Sequence, residues 1–152
     1  MGQQFRLIIA FLAILGNLVL VPNAKAATSN DLKITVDGLK KQQGQICFSV
    51  FARSKGFPSK KASSLRNGCI KVAENSVELN FKNLKAGNYA VAVFHDVNSD
   101  GALNRNFVGI PTEGFGFTNN PKILNGPPKF NDSAVLVAGS STNTQINLQY
   151  LL

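Results

Sequence analysis

The sequence predicts an all-β domain: an antiparallel Greek-key β-sandwich of about seven strands with one long ordered crossover loop. Three observations carry that expectation. Apolar residues recur with period two in short runs, and no segment sustains a capped i, i+3, i+4, i+7 stripe. Turn residues separate the runs. A tyrosine enters the strongest run directly after a Gly-containing turn, as in Greek-key sandwiches.

The elements follow in order. "LKITVDGL" sets Leu32, Ile34 and Val36 against Lys33, Thr35 and Asp37, so one face is apolar. "QICFSVFAR" is almost continuously apolar, the pattern of a strand buried on both sides. "CIKVA" and "VELNF" flank the turn Glu74-Asn75-Ser76. "NYAVAVFHD" is the strongest strand. Its Tyr89 is placed for its hydroxyl to bond back to the preceding turn, the device of an immunoglobulin-like or prealbumin-like sandwich. "SAVLVAG" and "TQINLQYLL" close the chain, with Ile146, Leu148 and Tyr150 on one face of the latter.

Ahead of these strands, residues 1–26 read as a cleaved secretory signal peptide. Arg6 supplies the positive region, "LIIAFLAILGNLVLV" the apolar one, and Ala24-Lys25-Ala26 the small-x-small cleavage pattern before Ala27. The apolar run is short for a membrane span of about 20 residues. Residues 27–152 then form one domain, exported to the periplasm, the cell surface or the medium, with no span left after cleavage. The whole chain has 16 Lys+Arg against 8 Asp+Glu. Its basic residues are scattered rather than striped among stacking aromatics, which argues against a nucleic-acid partner. Two cysteines in an exported chain point to a disulfide between Cys47 and Cys69 in two core strands, and no Cys-x-x-Cys suggests a redox pair.

Chemistry concentrates in "FHDVNSDGALNRNFVGIPTEGFGFTNNP", residues 94–121. Asp96, Asn98 and Asp100 alternate and are followed by Gly101, as in the first half of a calcium loop. Where that loop needs a bidentate Glu there is Phe107, so Glu113 would have to swing back to complete the shell. Calcium binding would then be weak, of the roughly 10⁻⁴ to 10⁻³ M extracellular type. The competing reading is an Asx turn in which these side chains bond their own backbone, and it is the favoured one. His95 and Asp96 are adjacent in a strand, so they point to opposite faces and form no dyad. Glu113 with Asp96 or Asp100 is the only candidate carboxylate pair for glycan hydrolysis. The loop is expected to be pinned by Phe107, Phe115 and Phe117, inserted into the core or covering the sandwich end, with its glycines allowing close backbone approach. A second long connection, Arg53 to Gly68, is cationic, and the two are expected to meet at one end of the sandwich.

The stretch "LKAGNYAVAVFHDVNSDGALNRNFVGIPTEGFGFTNNP" resembles the signature of a bacterial family of exported proteins known as domain of unknown function 2141, and the likeness extends more loosely over most of residues 27–152, including "ICFSVFA". The resemblance implies an exported all-β domain without an assigned activity, and it brings no catalytic residues. The expected function is a non-catalytic envelope or secreted module that binds or supports an envelope protein or glycan through its loops. The alternative is a glycan-directed hydrolase using Glu113 with Asp96 or Asp100.

Overall fold

The computed structural model describes residues 30–124 and 126–152. The expected leader, residues 1–26, lies outside the described residues. Eight strands form: β1 (Asn30–Asp37), β2 (Gln45–Phe51), β3 (Arg66–Lys71), β4 (Val77–Leu84), β5 (Gly87–Asp96), β6 (Phe115–Phe117), β7 (Ala134–Val137) and β8 (Ser141–Asn147). A 3-10 turn at Lys61–Ser63 and a one-turn helix α1 (Phe130–Ser133) complete the list. No described helix is long and apolar enough to cross a membrane.

The strands make two packed sheets, ordered β4-β1-β8 and β3-β2-β5-β6, with β7 also on β5. The chain crosses between sheets at β1–β2, β3–β4, β4–β5 and β7–β8. This is the expected sandwich, with two differences. The pair β1–β8 is parallel, Leu32 opposite Thr142 and Val36 opposite Ile146. From β7 in the other sheet the short connection 138–140 lays β8 beside β1 in the same direction, which period-two patterning alone does not encode. The second difference is β6, which falls inside the stretch expected to be loop. It pairs with β5 through Ala92↔Phe117 and Phe94↔Phe115, while β7 pairs with the first half of the same edge. Three residues with a glycine at their centre and another just before them carry too little alternation to announce a strand.

Period two explains the core. Leu32, Ile34 and Val36 of β1, Val77, Leu79 and Phe81 of β4, and Ile146 of β8 face Ile46, Val50, Val91 and Val93 of the larger sheet. All are buried, so the centre of the layer between the sheets is apolar. The other face of the larger sheet is covered too. Phe51 packs edge-on against Phe57, with ring centroids 5.3 Å apart, and Phe57 meets Phe117 at 5.9 Å and Phe130 at 6.0 Å. That second layer is why β2 is buried on both sides, as its continuous apolar run predicts. Tyr89 donates its hydroxyl to the Lys85 carbonyl at 2.8 Å, pinning the turn before β5.

Cys47 and Cys69 are bonded, and they sit directly opposite each other in the β2–β3 ladder. Their expected setting needs correction. Cys47 is buried, but β3 is an edge strand and Cys69 is exposed. The bond therefore fastens an edge to the body of the sheet rather than joining two core strands.

Candidate functional site

The crossover Val97–Gly114 hangs from the end of β5, and its shape is set by carboxylates. Asp96 ends the strand with its side chain on the outer face, fully buried. Its Oδ1 accepts the Asp100 N–H at 3.1 Å, and its Oδ2 accepts the Gly101 N–H at 2.8 Å and the Gln45 Nε2 at 2.7 Å. Glu113, also buried, reaches back across the loop mouth. Its Oε1 accepts the Val97 N–H and its Oε2 the Asn104 N–H, both at 2.9 Å. Two buried charges are tolerable because each oxygen meets a polarised donor. Glu113 is thus a staple between the two ends of the Asp-Asn-Asp turn.

Asp100 is exposed and completes the turn. Its Oδ1 accepts the Ala102 N–H at 2.9 Å, and its Oδ2 accepts the amides of Asn98 at 2.8 Å and Asn104 at 2.9 Å. Gly101 takes φ of +79°, where a side chain would be strained. Every side-chain oxygen of the Asp96, Asn98, Asp100 and Glu113 set accepts at least one N–H, including Asn98 Oδ1 from Asp100 N at 3.3 Å. Among the described residues no group of three or more His, Cys, Asp or Glu is arranged to hold a metal ion.

Hydrogen bonds from the Asn104 side chain, the Ala102 N–H and the Asn98 side chain hold the Asp100 carboxyl below its ordinary value of 3.8. A depressed folded-state value means the carboxylate supports the turn fully above about 3.8, and the support is lost as pH falls through the lowered value. The Ala102 amide resonance should therefore titrate in the acid limb below the ordinary carboxylate range. An Ala102 signal that is unaltered by Asp100→Ala throughout an acid titration would refute this role.

His95 points the other way, into the inter-sheet layer, and is fully buried. Its Nε2 lies 2.8 Å from the Gln43 carbonyl, which can only accept, so that nitrogen carries the proton. Its Nδ1 then accepts the Tyr150 hydroxyl at 3.1 Å, and the Tyr150 oxygen accepts the Lys40 N–H at 3.1 Å. Burial raises the Tyr150 phenol above its ordinary value, with the Lys40 N–H opposing. The close approach depends on Gly114, because a Cβ there would overlap the Tyr150 ring. Gly116 likewise lies against Ile146, where a Cβ would come within 2.5 Å of its Cγ2. His95 is therefore a satisfied core histidine that ties the C-terminal segment to the sheet.

The two long loops do meet, but over the outer face of the larger sheet rather than at the sandwich end. Lys61 donates to the Gly101 carbonyl at 2.9 Å, so a cation and a backbone oxygen join them, not an ion pair. Phe115 and Phe117 are buried on that face, with ring centroids 6.0 Å apart. Phe107, expected to plug the fold beside them, is instead 100% exposed at the loop tip. The Asn106–Ile110 turn is closed by its own bonds, Asn106 Oδ1 accepting the Val108 and Ile110 N–H groups, and leaves the ring outside.

Between the loops and the sheet lies a groove of about 860 Å³. Its floor is Ser49, Ala92, Phe94, Phe115 and Phe117, and its walls come from the segments around Pro58 and Lys61, from Gly101–Leu103 and Val108–Pro111, and from Ile123 and Pro127. Lys61 and Arg105 are the charged residues of its lining; none of the lining residues is Asp, Glu or His. Sequence reasoning brought together the two loops but not this groove. Its floor needs β6 beside β5, and its third wall comes from a segment that carried no motif.

Residues 34–146 match the family described as an uncharacterized protein conserved in bacteria, DUF2141, and the chain belongs to that family. The matched region runs from β1 into β8 and contains the carboxylate-held loop and every groove-lining residue but Leu151. No curated protein and no solved structure matches the chain.

Proposed function

We propose that this member of DUF2141 is an exported, non-catalytic binding module whose binding site is the groove between its two long loops. One observation carries the reading: the loops converge on an apolar concavity, while the candidate catalytic groups are used elsewhere. Asp96 and Glu113 hold loop N–H groups, and His95 is sealed between the sheets. A glycan hydrolase of the expected kind needs carboxyl groups facing its substrate, and the groove lining offers no carboxyl and no imidazole. A volume of this size suits a small ligand or a projecting group of a larger partner. Export is supported by the leader pattern of residues 1–26 and by the Cys47–Cys69 bond.

A neutral solvatochromic dye tests the site. The purified protein should bind it in a one-to-one ratio, and Ala102→Trp, a change at an exposed groove residue, should remove binding while circular dichroism stays unchanged. Dye binding that survives Ala102→Trp, or no binding by the parent protein, would defeat the reading.

The calcium expectation has a direct measurement. Because the turn's oxygens already accept N–H groups, we propose that the loop is self-held. Several millimolar calcium at matched ionic strength should then leave the melting temperature unchanged, whereas a site in the millimolar range would raise it. A rise abolished by Asp100→Ala would restore the metal reading of Asp96, Asn98, Asp100 and Glu113.

A further inference from the structure

We infer that the groove binds a free single-chain amphiphile with an anionic head, of which a long-chain alkanoate is the simplest form. This rests on the binding reading above and names the ligand class of that site. The floor is aromatic and aliphatic but for the single hydroxyl of Ser49, suited to an alkyl chain and offering no hydrogen-bonding array for a sugar or a nucleobase. The charges in the lining have one sign. Lys61 lies at the wall with its Nζ 6.0 Å from the centre of the Phe94 ring, so a cation stands directly beside the apolar floor. Arg105 is the second, exposed and tethered by one nitrogen to the Gly109 carbonyl at 2.9 Å.

None of the nearby acids lines the groove. Asp96 and Glu113 are buried behind the loop backbone, and the Asp100 carboxylate is occupied by Ala102, Asn98 and Asn104. Lys61 spends one N–H on the Gly101 carbonyl and keeps two donors for a head group. An apolar trough with a cationic wall and no anion in its lining is complementary to a chain ending in a carboxylate.

Calorimetry of the purified protein with octanoate, decanoate, dodecanoate and dodecanol, all below their micelle concentrations, tests the assignment. Affinity should rise about fourfold per added methylene. Dodecanoate should bind at least tenfold more tightly than dodecanol. Changing Lys61 and Arg105 together to Glu should remove that preference, read as the ratio of the dodecanoate and dodecanol affinities, and Ala102→Trp should abolish both. Affinity that is flat along the series, an alcohol bound as well as the acid, or an unchanged preference in the double variant would overturn the ligand class. Binding seen only to intact vesicles would do the same. If the neutral dye still binds and is lost in Ala102→Trp while alkanoates fail to displace it, the ligand class falls and the binding site stands. If dye and alkanoates both fail to bind, both readings fall.

Discussion

Replacing Asp96 with alanine is expected to cost about 3 kcal/mol or more and to free the crossover loop from the sheet. The Asp96 carboxylate is fully buried and accepts three N–H groups, from Asp100, Gly101 and Gln45. Each buried donor left without a partner costs about 1–3 kcal/mol, and bonds to a charged acceptor lie at the upper end. Water entering the loop would recover part of that, so the estimate stays below the sum. Denaturant unfolding gives the total, and amide exchange locates it. Protection should be lost at Asp100 and Gly101 before the β2–β5 core is affected. Asp96→Asn keeps one acceptor oxygen and should lose roughly half as much. A loss under about 1 kcal/mol for the alanine variant would mean that the carboxylate does not hold the loop. The groove should weaken in step, because Gly101 and Ala102 belong to its wall.

Removing the disulfide with Cys47→Ala and Cys69→Ala together is expected to lower stability by about 3 kcal/mol, the chain-entropy value for a loop of this length. The loss should be uneven. The strand β3 has one ladder neighbour, β2, and is exposed along nearly all its length, so the crosslink replaces the packing that an inner strand would have. Exchange should accelerate first between Arg66 and Lys71, with β1 and β5 following only at global unfolding. Reduction of the parent protein should reproduce the effect. Equal melting before and after reduction, or alkylation of both thiols without reductant, would sink the prediction.

These two sites show how far residue patterns reach. The Asp96-to-Asp100 spacing marked an ordered turn because Asp and Asn side chains bond N–H groups a few residues away, an interaction local enough to be written in spacing. Glu113 is expected from the sequence to swing back to complete a calcium shell; it does reach back, and its oxygens staple Val97 to Asn104. Its actual partners could not be named in advance, since its reach depends on the path of the intervening loop. Phe107 went wrong for the converse reason. An aromatic residue in a loop is ordinarily expected to find cover, and only the path of the Asn106–Ile110 turn shows that the ring has none.

What the sequence determined by itself is the set of local, periodic properties. Alternation placed the apolar faces of β1, β4 and β8, because successive side chains in a strand point to opposite sides, and the continuous apolar run of β2 marked a strand covered on both. Tyr89 after its Gly-containing turn marked the sandwich, and the cysteine pair marked the bond between β2 and β3. Tertiary structure decided everything that depends on chain path between distant segments: the parallel return of β8 beside β1, the insertion of β6 next to β5, the exposure of Cys69 on an edge, and the meeting of two loops over an outer sheet face to enclose a groove. The physical reason is that side-chain alternation is fixed by the geometry of neighbouring peptides, whereas a concavity exists only where segments far apart in the chain leave space between them.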